Sequence, residues 1–526
     1  MPGLRQSASV AIVSASAALA LAVAGCGEEE SGLAQLVPPD TPLYVEAAIF
    51  PDDGRSEAIA SLSQRIAGID DPKAELASML DAEFEAEDVP LTYAEDVEPW
   101  LGETGAVFVR SFEPASVAGD TADAALLLET TDSSRSQEFV DALAVAGPGE
   151  DFAERTYEGV GYRLDSSSDS VIGLVEGAFV VGTEASFKAA VDAAGNDSLA
   201  DAENFSEQVG ELDEGNVAEL WLNLGMVLDT VAGSSDADDA EIDAARAALG
   251  ALLSEPLAVS VAATPETVSV ETSAAGGTPI AGDTELLGEL PGDAWFAAAF
   301  AGAGDAIREA IHGLGALGSE LGDPALDPEA IARAVRSATG LDLEEDILSW
   351  VGDAAFYVAG TSEAEIRLGA LLETTDPAAA TEVISAVREL FERRSGTRAE
   401  APRLKDAEEG FSATAPTGGG LEVALRDGLV VAGLGGSDPA GATVDPDESL
   451  SSAAPFTAAT EALGEEFSAS VYVALQDFLV VAEQGDEGDT DYGPVRPYTD
   501  ALDYLVFGTA GDGDRERTRI VVGIGE

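Results

Sequence analysis

Cysteine, histidine and lysine are almost missing from this sequence of 526 residues. Cys26 is the one cysteine, His312 is the one histidine, and lysine occurs only at Lys73, Lys188 and Lys405. A disulfide needs two cysteines and a structural zinc site needs four Cys or His ligands, so neither is expected. Histidine-based triads, cysteine proteases and His-ligated iron sites are excluded for the same reason.

No catalytic motif offsets this depletion. His312 lies in a predicted helix and is expected at the surface. None of the lysines follows a serine at the Ser-x-x-Lys spacing. The glycine-rich run 433–437 lacks the last Gly and the Lys of a phosphate-binding loop, so we expect it to join two strands. The sequence therefore predicts a protein that is not an enzyme and has no cofactor.

Positive charge is scarce as well. The chain has 25 Lys and Arg against 100 Asp and Glu, which gives a formal net charge of −75 at pH 7. Such a surface repels nucleic-acid backbones and anionic lipid headgroups. It favours cations, basic proteins or neutral polymers as partners, or it serves only solubility in ion-rich surroundings. An apolar fraction of 46% is enough to build real cores.

Residues 1–25 have the pattern of a bacterial lipoprotein signal peptide. Arg5 precedes a small and apolar run from Ala8 to Ala24, which is too short to span a membrane. The run ends in Val-Ala-Gly-Cys at 23–26, which resembles the lipobox whose cysteine becomes the acylated mature N-terminus. We therefore expect lipidation at Cys26, a short tether over 26–35 and an extracytoplasmic protein anchored to the cell membrane. The alternative is a secretory peptide that happens to contain a cysteine.

The remaining sequence repeats itself at an offset near 250 residues. Leu-Leu-Glu-Thr-Thr-Asp at 127–132 returns letter for letter at 371–376, and Trp-Leu-Gly at 100–102 matches Trp-Val-Gly at 350–352. Four further pairs of segments match, and all six pairs occur in the same order in both halves. This pattern predicts a first repeat at 36–275, a linker at 276–288 and a second repeat at 289–526.

Local signals predict the fold class of each repeat. Asp376 followed by Pro377 is typical of a helix start, because Asp caps free N–H groups and proline is tolerated at the first helical position. Asp427-Gly428 between two apolar runs is typical of a two-residue hairpin. We expect an α+β fold of two internally duplicated repeats, each a mainly antiparallel sheet covered by helices on one face.

Acidic loops and paired tryptophans are the candidate binding features. Asp486, Asp489 and Asp491 cluster in a Gly-containing loop that could supply oxygens to calcium, although the EF-hand spacing is absent. The acidic loop at 233–241 could bind calcium in the same way. For both loops the alternative is that the acidic side chains are simply solvated. Trp100 and Trp350 stand at equivalent positions and could stack on a ligand or pack in a core.

Several of these motifs together resemble a known family. They are the lipobox, the Pro-Pro-Asp-Thr-Pro-Leu-Tyr-Val opening at 38–45, Trp-Leu-Gly at 100–102, Thr-Thr-Asp at 130–132 and Val-Val-Gly-Thr at 180–183. This set resembles the envelope proteins grouped as Domain of Unknown Function 3352. The resemblance implies a location and a fold, and it brings no established activity.

Three functions stay open. The first is a non-catalytic binding or scaffolding module of the cell envelope, with a groove between sheet and helices or between the halves for an apolar or polymeric component. The second is a carboxylate-dependent hydrolase of envelope glycans, which would need two buried carboxyls converging in a cleft. The third is an acidic structural spacer or cation-binding surface protein.

Overall fold

The computed structural model divides into two compact units, Met1–Gly276 and Gly277–Glu526. It describes residues 32–49, 51, 54–86, 89–111, 123–146, 152–165, 170–210, 212, 216–232, 242, 246, 250–253, 255–275, 285–321, 327–362, 364–414, 419–485, 496–511 and 515–525.

The described part of the first unit contains ten strands. They are β1 (Leu43–Ala48), β2 (Leu101–Ser111), β3 (Asp123–Thr130), β4 (Phe152–Tyr157), β5 (Val160–Asp165), β6 (Ser170–Val175), β7 (Ala178–Thr183), β8 (Ala218–Leu222), β9 (Leu257–Ala263) and β10 (Thr267–Ala275). Their order in the sheet is β4-β5-β6-β7-β3-β2-β1-β8-β9-β10, and every neighbouring pair is antiparallel.

Helices connect these strands. The α-helices named within the described ranges are α1 (Gly54–Leu62), α2 (Pro72–Ala86), α3 (Ser133–Ala146), α4 (Glu184–Gly195), α5 (Glu203–Val209) and α6 (Leu224–Ala232). Short 3-10 turns lie at Ala34–Leu36, Leu199–Asp201 and Gly250–Leu253, and π-helical turns lie at Ser63–Ala67 and Tyr93–Val97.

Nine strands form the sheet in the described part of the second unit. They are β11 (Ala294–Phe300), β12 (Val351–Ala359), β13 (Arg367–Thr374), β14 (Glu409–Thr414), β15 (Gly420–Arg426), β16 (Leu429–Leu434), β17 (Ser468–Ala474), β18 (Leu502–Gly511) and β19 (Arg515–Ile524). The order is β14-β15-β16-β13-β12-β11-β17-β18-β19, again with antiparallel neighbours.

The helices of the second unit follow the same strand-and-helix alternation. They are α7 (Leu286–Glu289), α8 (Ala303–Leu321), α9 (Pro328–Thr339), α10 (Pro377–Ser395), α11 (Pro439–Val444), α12 (Ala454–Leu463), α13 (Leu475–Gly485) and α14 (Arg496–Thr499). A π-helical turn lies at Leu343–Leu348 and a 3-10 turn at Leu450–Ser452. The predicted mixture of helices with a large antiparallel sheet is confirmed.

The local signals work as expected at two positions. The Asp376 carboxylate accepts hydrogen bonds from the N–H groups of Ala378 and Ala379, so it caps α10 with Pro377 at the first position. Asp427 and Gly428 join β15 to β16 with φ of 52° and 81°, the left-handed conformation of a two-residue hairpin turn. The glycine-rich run 433–437 leads from β16 towards α11, so the prediction that it joins two strands is wrong.

Helices pack against both faces of each sheet, and the prediction that they cover only one face is wrong. In the second unit Leu371, Ala424 and Val431 belong to one core cluster with α11 and α12 residues, whereas their chain neighbours contribute to another core under α10. Adjacent strand residues point to opposite faces, so these two clusters lie on opposite sides of the sheet. The first unit has the same arrangement, with Leu127 in one cluster and Leu126 and Leu128 packed against the other.

Candidate functional site

Trp100 lies in the core of the first unit. Its side chain is 1% exposed, and its ring lies 5.2 Å from Phe139 and 5.4 Å from Phe179 between centroids. The indole N–H donates to the Asp96 carbonyl at 2.6 Å. The Trp100 carbonyl accepts from the backbone N–H and the hydroxyl of Thr131 at 2.8 and 3.2 Å. These bonds lock the residue between its preceding π-helical turn and the end of β3.

Trp350 makes the corresponding bonds in the second unit. Its indole N–H donates to the Asp346 carbonyl at 3.0 Å, and its own carbonyl accepts from the N–H and hydroxyl of Thr375 at 2.9 and 3.1 Å. The side chain is 3% exposed and belongs to the core beneath α10. Both tryptophans therefore pack inside their units, where a sugar or other ligand could not stack on them.

Other predicted site residues lie outside the described residues. Cys26 and the acidic loop residues Asp486, Asp489 and Asp491 are in this group. Among described residues, no three His, Cys, Asp or Glu side chains come together as a set that could hold a metal ion. His312 is exposed on α8. No helix in the described ranges has the length and apolar character needed to cross a membrane.

A buried carboxylate row crosses four strands of the first unit. Glu46, Glu219, Ser260 and Glu271 are paired in that order across β1, β8, β9 and β10, and directly opposite residues have Cβ atoms about 4.5–5.5 Å apart. Glu46 and Glu271 are each 3% exposed. Burial raises the pKa of Glu219, while a long hydrogen bond from the Asn216 amide acts in the opposite direction.

The carboxylate row faces the interior. Tyr44 and Trp221 lie two residues from Glu46 and Glu219 on the same face, and both belong to the hydrophobic core. The Tyr44 hydroxyl donates to the Glu46 carboxylate. A glycan hydrolase places its two carboxyls on either side of a substrate bond, which requires access. The carboxyls of the row are close enough together for such a mechanism, but they face the core and lack the access that a substrate needs.

A polar cleft of about 570 Å³ opens in the second unit beside the β15–β16 turn. Arg426 lines it, and both its terminal nitrogens donate to the Asp445 carboxylate, at 2.6 and 3.1 Å. This bidentate pair lowers the pKa of Asp445 and raises that of Arg426. The lining also includes Glu289, Asp447, Glu448, Ser449 and Ser452. These groups could bind hydroxyl-rich or cationic molecules.

An aromatic row lies on the opposite face from the main core of the second unit. It is formed by Phe478, Trp295, Phe296, Phe356 and Phe300, with successive ring centroids 5.9, 6.3, 5.6 and 5.8 Å apart. The last two rings are nearly parallel, at 15°. The Trp295 indole N–H donates to the Gly360 carbonyl at 3.0 Å, which fixes the orientation of the ring. The row runs from α13 across β11 onto β12.

The aromatic row reaches solvent. Phe356 is 38% exposed and Phe478 is 42% exposed. Leu368, on the same face of the adjoining strand β13, is 38% exposed, and Ile366 just before that strand is 37% exposed. α8 packs against β12, and α13 packs against β11, β17 and β18. The open part of the sheet therefore lies beside helices and carries large apolar side chains.

The first unit lacks this feature at the matching positions. Its β1 residue Tyr44 pairs with Phe108 and Trp221, as Ala297 of β11 pairs with Tyr357 and Tyr472. By that register Leu43 and Val107 stand where the second unit has Phe296 and Phe356. Among the described residues, the exposed large apolar side chains of the first unit are Met79 and Val145. The aromatic row is therefore specific to the second unit.

Comparisons with solved structures give weak likenesses. Crystal form I of TP0453 matches with 8% identity and a TM-score of 0.23, covering 47% of this chain and 79% of that one. Crystal form IV of TP0453 matches with 9% identity and a TM-score of 0.17, covering 77% and 94%. Similarities at these scores carry no weight for fold or function.

Sequence families give a clear result. No curated protein matches the chain. A family model described as protein of unknown function, DUF3352, matches residues 7–485, which is most of the chain. The resemblance that the short motifs indicated is confirmed, and this chain belongs to the DUF3352 family.

Proposed function

We propose that this chain is a membrane-anchored extracytoplasmic lipoprotein that works as a non-catalytic binding module for an apolar component of the cell envelope. The observation that carries the proposal is the exposed aromatic row on the second unit. Soluble proteins rarely expose a contiguous apolar patch of large side chains unless it binds something.

The anchor is supported by the sequence of residues 1–26. A charged start, a short apolar run and Val-Ala-Gly-Cys at 23–26 form the lipobox pattern. Two acyl chains hold a protein firmly at a membrane, whereas one holds it marginally. An anchored protein needs no membrane-spanning helix of its own.

We also propose that the two units are copies of one ancestral repeat. One support is the order of the strands within each sheet. The order β5-β6-β7-β3-β2-β1-β8-β9-β10 corresponds strand for strand to β14-β15-β16-β13-β12-β11-β17-β18-β19. The other support is that the two tryptophans make corresponding hydrogen bonds. An isolated bridge between Glu400 and Ser412 stands in place of β4 in the second unit. A repeat whose second copy gained an apolar surface has diverged in function while keeping its frame.

The glycan hydrolase and the acidic spacer are less favoured. A hydrolase needs two carboxyls on either side of an accessible bond, and the carboxylate row lies against the core. A spacer would gain nothing from an exposed aromatic row. The polar cleft beside Arg426 gives hydroxyl-rich polymers a second place to bind.

The test has one arm for the anchor and one for binding. Mass spectrometry of the mature N-terminus and membrane fractionation should show an acylated, membrane-bound chain, and Cys26→Ala should abolish the acylation. Thermal shifts at fixed ionic strength should then show stabilisation by neutral apolar ligands, because a ligand that binds only the folded state raises Tm. Shifts that follow ionic strength alone would leave the acidic spacer as the better account.

A further inference from the structure

We propose that the aromatic row holds the acyl chain of a zwitterionic phospholipid. This inference rests on the proposed function, because the Cys26 anchor is what would bring the row to a lipid bilayer. It goes further by naming the class of ligand and the residues that touch it.

The shape of the row fits an extended ligand. Its five rings follow one another at 5.6–6.3 Å, so they form a strip of successive apolar contacts instead of an enclosed cage. Phe356 pairs with Ala370 across β12 and β13, and Val358 pairs with Leu368. Val358 also pairs with Phe296 of β11, so the strip widens into aliphatic side chains beside Phe296. A linear hydrocarbon chain can contact the strip along its length.

The chemistry of the strip also fits hydrocarbon. Its rings carry no charge, and the one polar hydrogen, on Trp295, is already donated to the Gly360 carbonyl. Each methylene group removed from water favours binding by about fourfold. A chain of many methylene groups can therefore gain substantial affinity without any polar contact.

Charge selects the headgroup. The chain carries a net charge of −75 at pH 7, so its field repels anionic lipid headgroups. A zwitterionic headgroup has no net charge to be repelled. These two features together favour a phosphatidylcholine- or phosphatidylethanolamine-like lipid over an anionic one.

The experiment uses intrinsic tryptophan emission as a contact probe. The full chain is mixed with phosphatidylcholine vesicles that carry 9,10-dibrominated acyl chains, since bromine quenches tryptophan only at near contact. Trp295 belongs to the row, whereas Trp100, Trp221 and Trp350 are at most 3% exposed. We expect quenching in the wild type, and Trp295→Phe should abolish it. Combining Phe356→Ser with Phe478→Ser should raise the lipid concentration needed for half-maximal quenching about tenfold. Anionic vesicles should give less quenching than zwitterionic ones.

Matched controls keep the anchor and the row apart. Met79→Ser removes an apolar side chain of the first unit that is 58% exposed, and it should leave quenching unchanged. Flotation that persists when both Phe356→Ser and Phe478→Ser are present reports the anchor, and quenching is read whether or not the chain floats. Flotation without quenching would overturn the acyl-chain assignment while leaving the lipoprotein proposal intact. Quenching without flotation would reject the anchor and keep the assignment.

Two further results would overturn the assignment. Quenching that persists in Trp295→Phe would place the lipid elsewhere on the chain. A dimer in sedimentation that Phe356→Ser dissolves, with no quenching in the wild type, would give the row to a second copy of this chain.

Discussion

The two units share a frame and differ in what they do with it. Both order their strands in the same way, and both lock a buried tryptophan between a π-helical turn and the end of a central strand. The first unit places its unusual polar groups inside, in the carboxylate row. The second unit places aromatic rings outside, in the aromatic row. The frame is therefore tolerant of change on both faces, and function is best sought where the units diverge.

Equivalent strand positions show how far this tolerance goes. When β6 and β15 are aligned on their hairpin turns, buried Val171 of the first unit corresponds to Glu422 of the second. Buried Val175 corresponds in the same way to Arg426. Glu422 is fully buried, and its Oε1 accepts from the N–H groups of Arg403 and Leu404, both at 2.6 Å. A carboxylate replaces an apolar side chain here because nearby backbone donors hold it.

The largest expected effect tests whether the tryptophans are true counterparts. Trp100→Ala and Trp350→Ala should each lower the free energy of unfolding by about 3–5 kcal/mol, because each leaves a large cavity in a core. Urea unfolding, followed by probes specific to each unit, measures the loss. If one of the two substitutions lowered the free energy of unfolding by less than about 1 kcal/mol and the other did not, the two tryptophans would not be equivalent.

A smaller but still large effect tests the role of the backbone donors. Val171→Glu places in the first unit the residue that the second unit has at that position. It should cost about 3 kcal/mol, because the new carboxylate is buried beside Leu164 without the amides that hold Glu422. Glu422→Val should cost about 1–3 kcal/mol, since it leaves two backbone donors without their acceptor. A free energy of unfolding that Val171→Glu leaves nearly unchanged in chemical denaturation would contradict this account.

The carboxylate row gives a pH-dependent prediction. Burial raises the pKa of Glu219, so the folded state binds a proton more tightly than the unfolded state does. Stability is then fully present below the ordinary glutamate pKa of about 4.3 and falls as pH rises through the folded pKa. Glu219→Gln should therefore be more stable than wild type at pH 7, with the difference shrinking towards pH 4. Glu138→Gln, at an exposed position on α3, serves as the matched control.

The smallest expected effect concerns the ion pair in the polar cleft. Arg426→Lys loses the bidentate contact with Asp445, whose side chain is 65% exposed, so the cost should stay below about 1 kcal/mol. Arg426 lowers the pKa of Asp445, so the pair stabilises above the ordinary aspartate pKa and loses its effect as pH falls through the lowered value. Equal stability losses at pH 7 and pH 2 would contradict this assignment.

Much of the frame was predictable from local sequence. Asp376-Pro377 and Asp427-Gly428 act through short-range geometry, so a helix start and a hairpin could be located without tertiary information. The prediction that helices cover only one face of each sheet was wrong, although the sequence carried a signal against it. Leu126–Leu128 and Val430–Val431 are continuous apolar runs. Such runs indicate strands buried on both faces, whereas an alternating pattern indicates one.

The candidate sites were less predictable. The rings of the aromatic row come from three separate elements, and only their pairing across β11 and β12 brings them together. Glu46 and Glu219 could have been suspected, because each is an acid inside an apolar strand, in phase with an aromatic residue two positions away. Their closeness depends on strand register, which the sequence alone does not specify.

The most direct test of the central claim, that the second unit alone presents an apolar binding surface, is photocrosslinking mapped by mass spectrometry. Phosphatidylcholine with a photoreactive acyl chain would be irradiated with the full chain, and the labelled peptides would be identified. We expect labels on the peptides that carry Phe296, Phe356 and Phe478, and a loss of label in Phe356→Ser. Labels spread equally over both units, or concentrated around Leu43 and Val107 in the first, would contradict the claim.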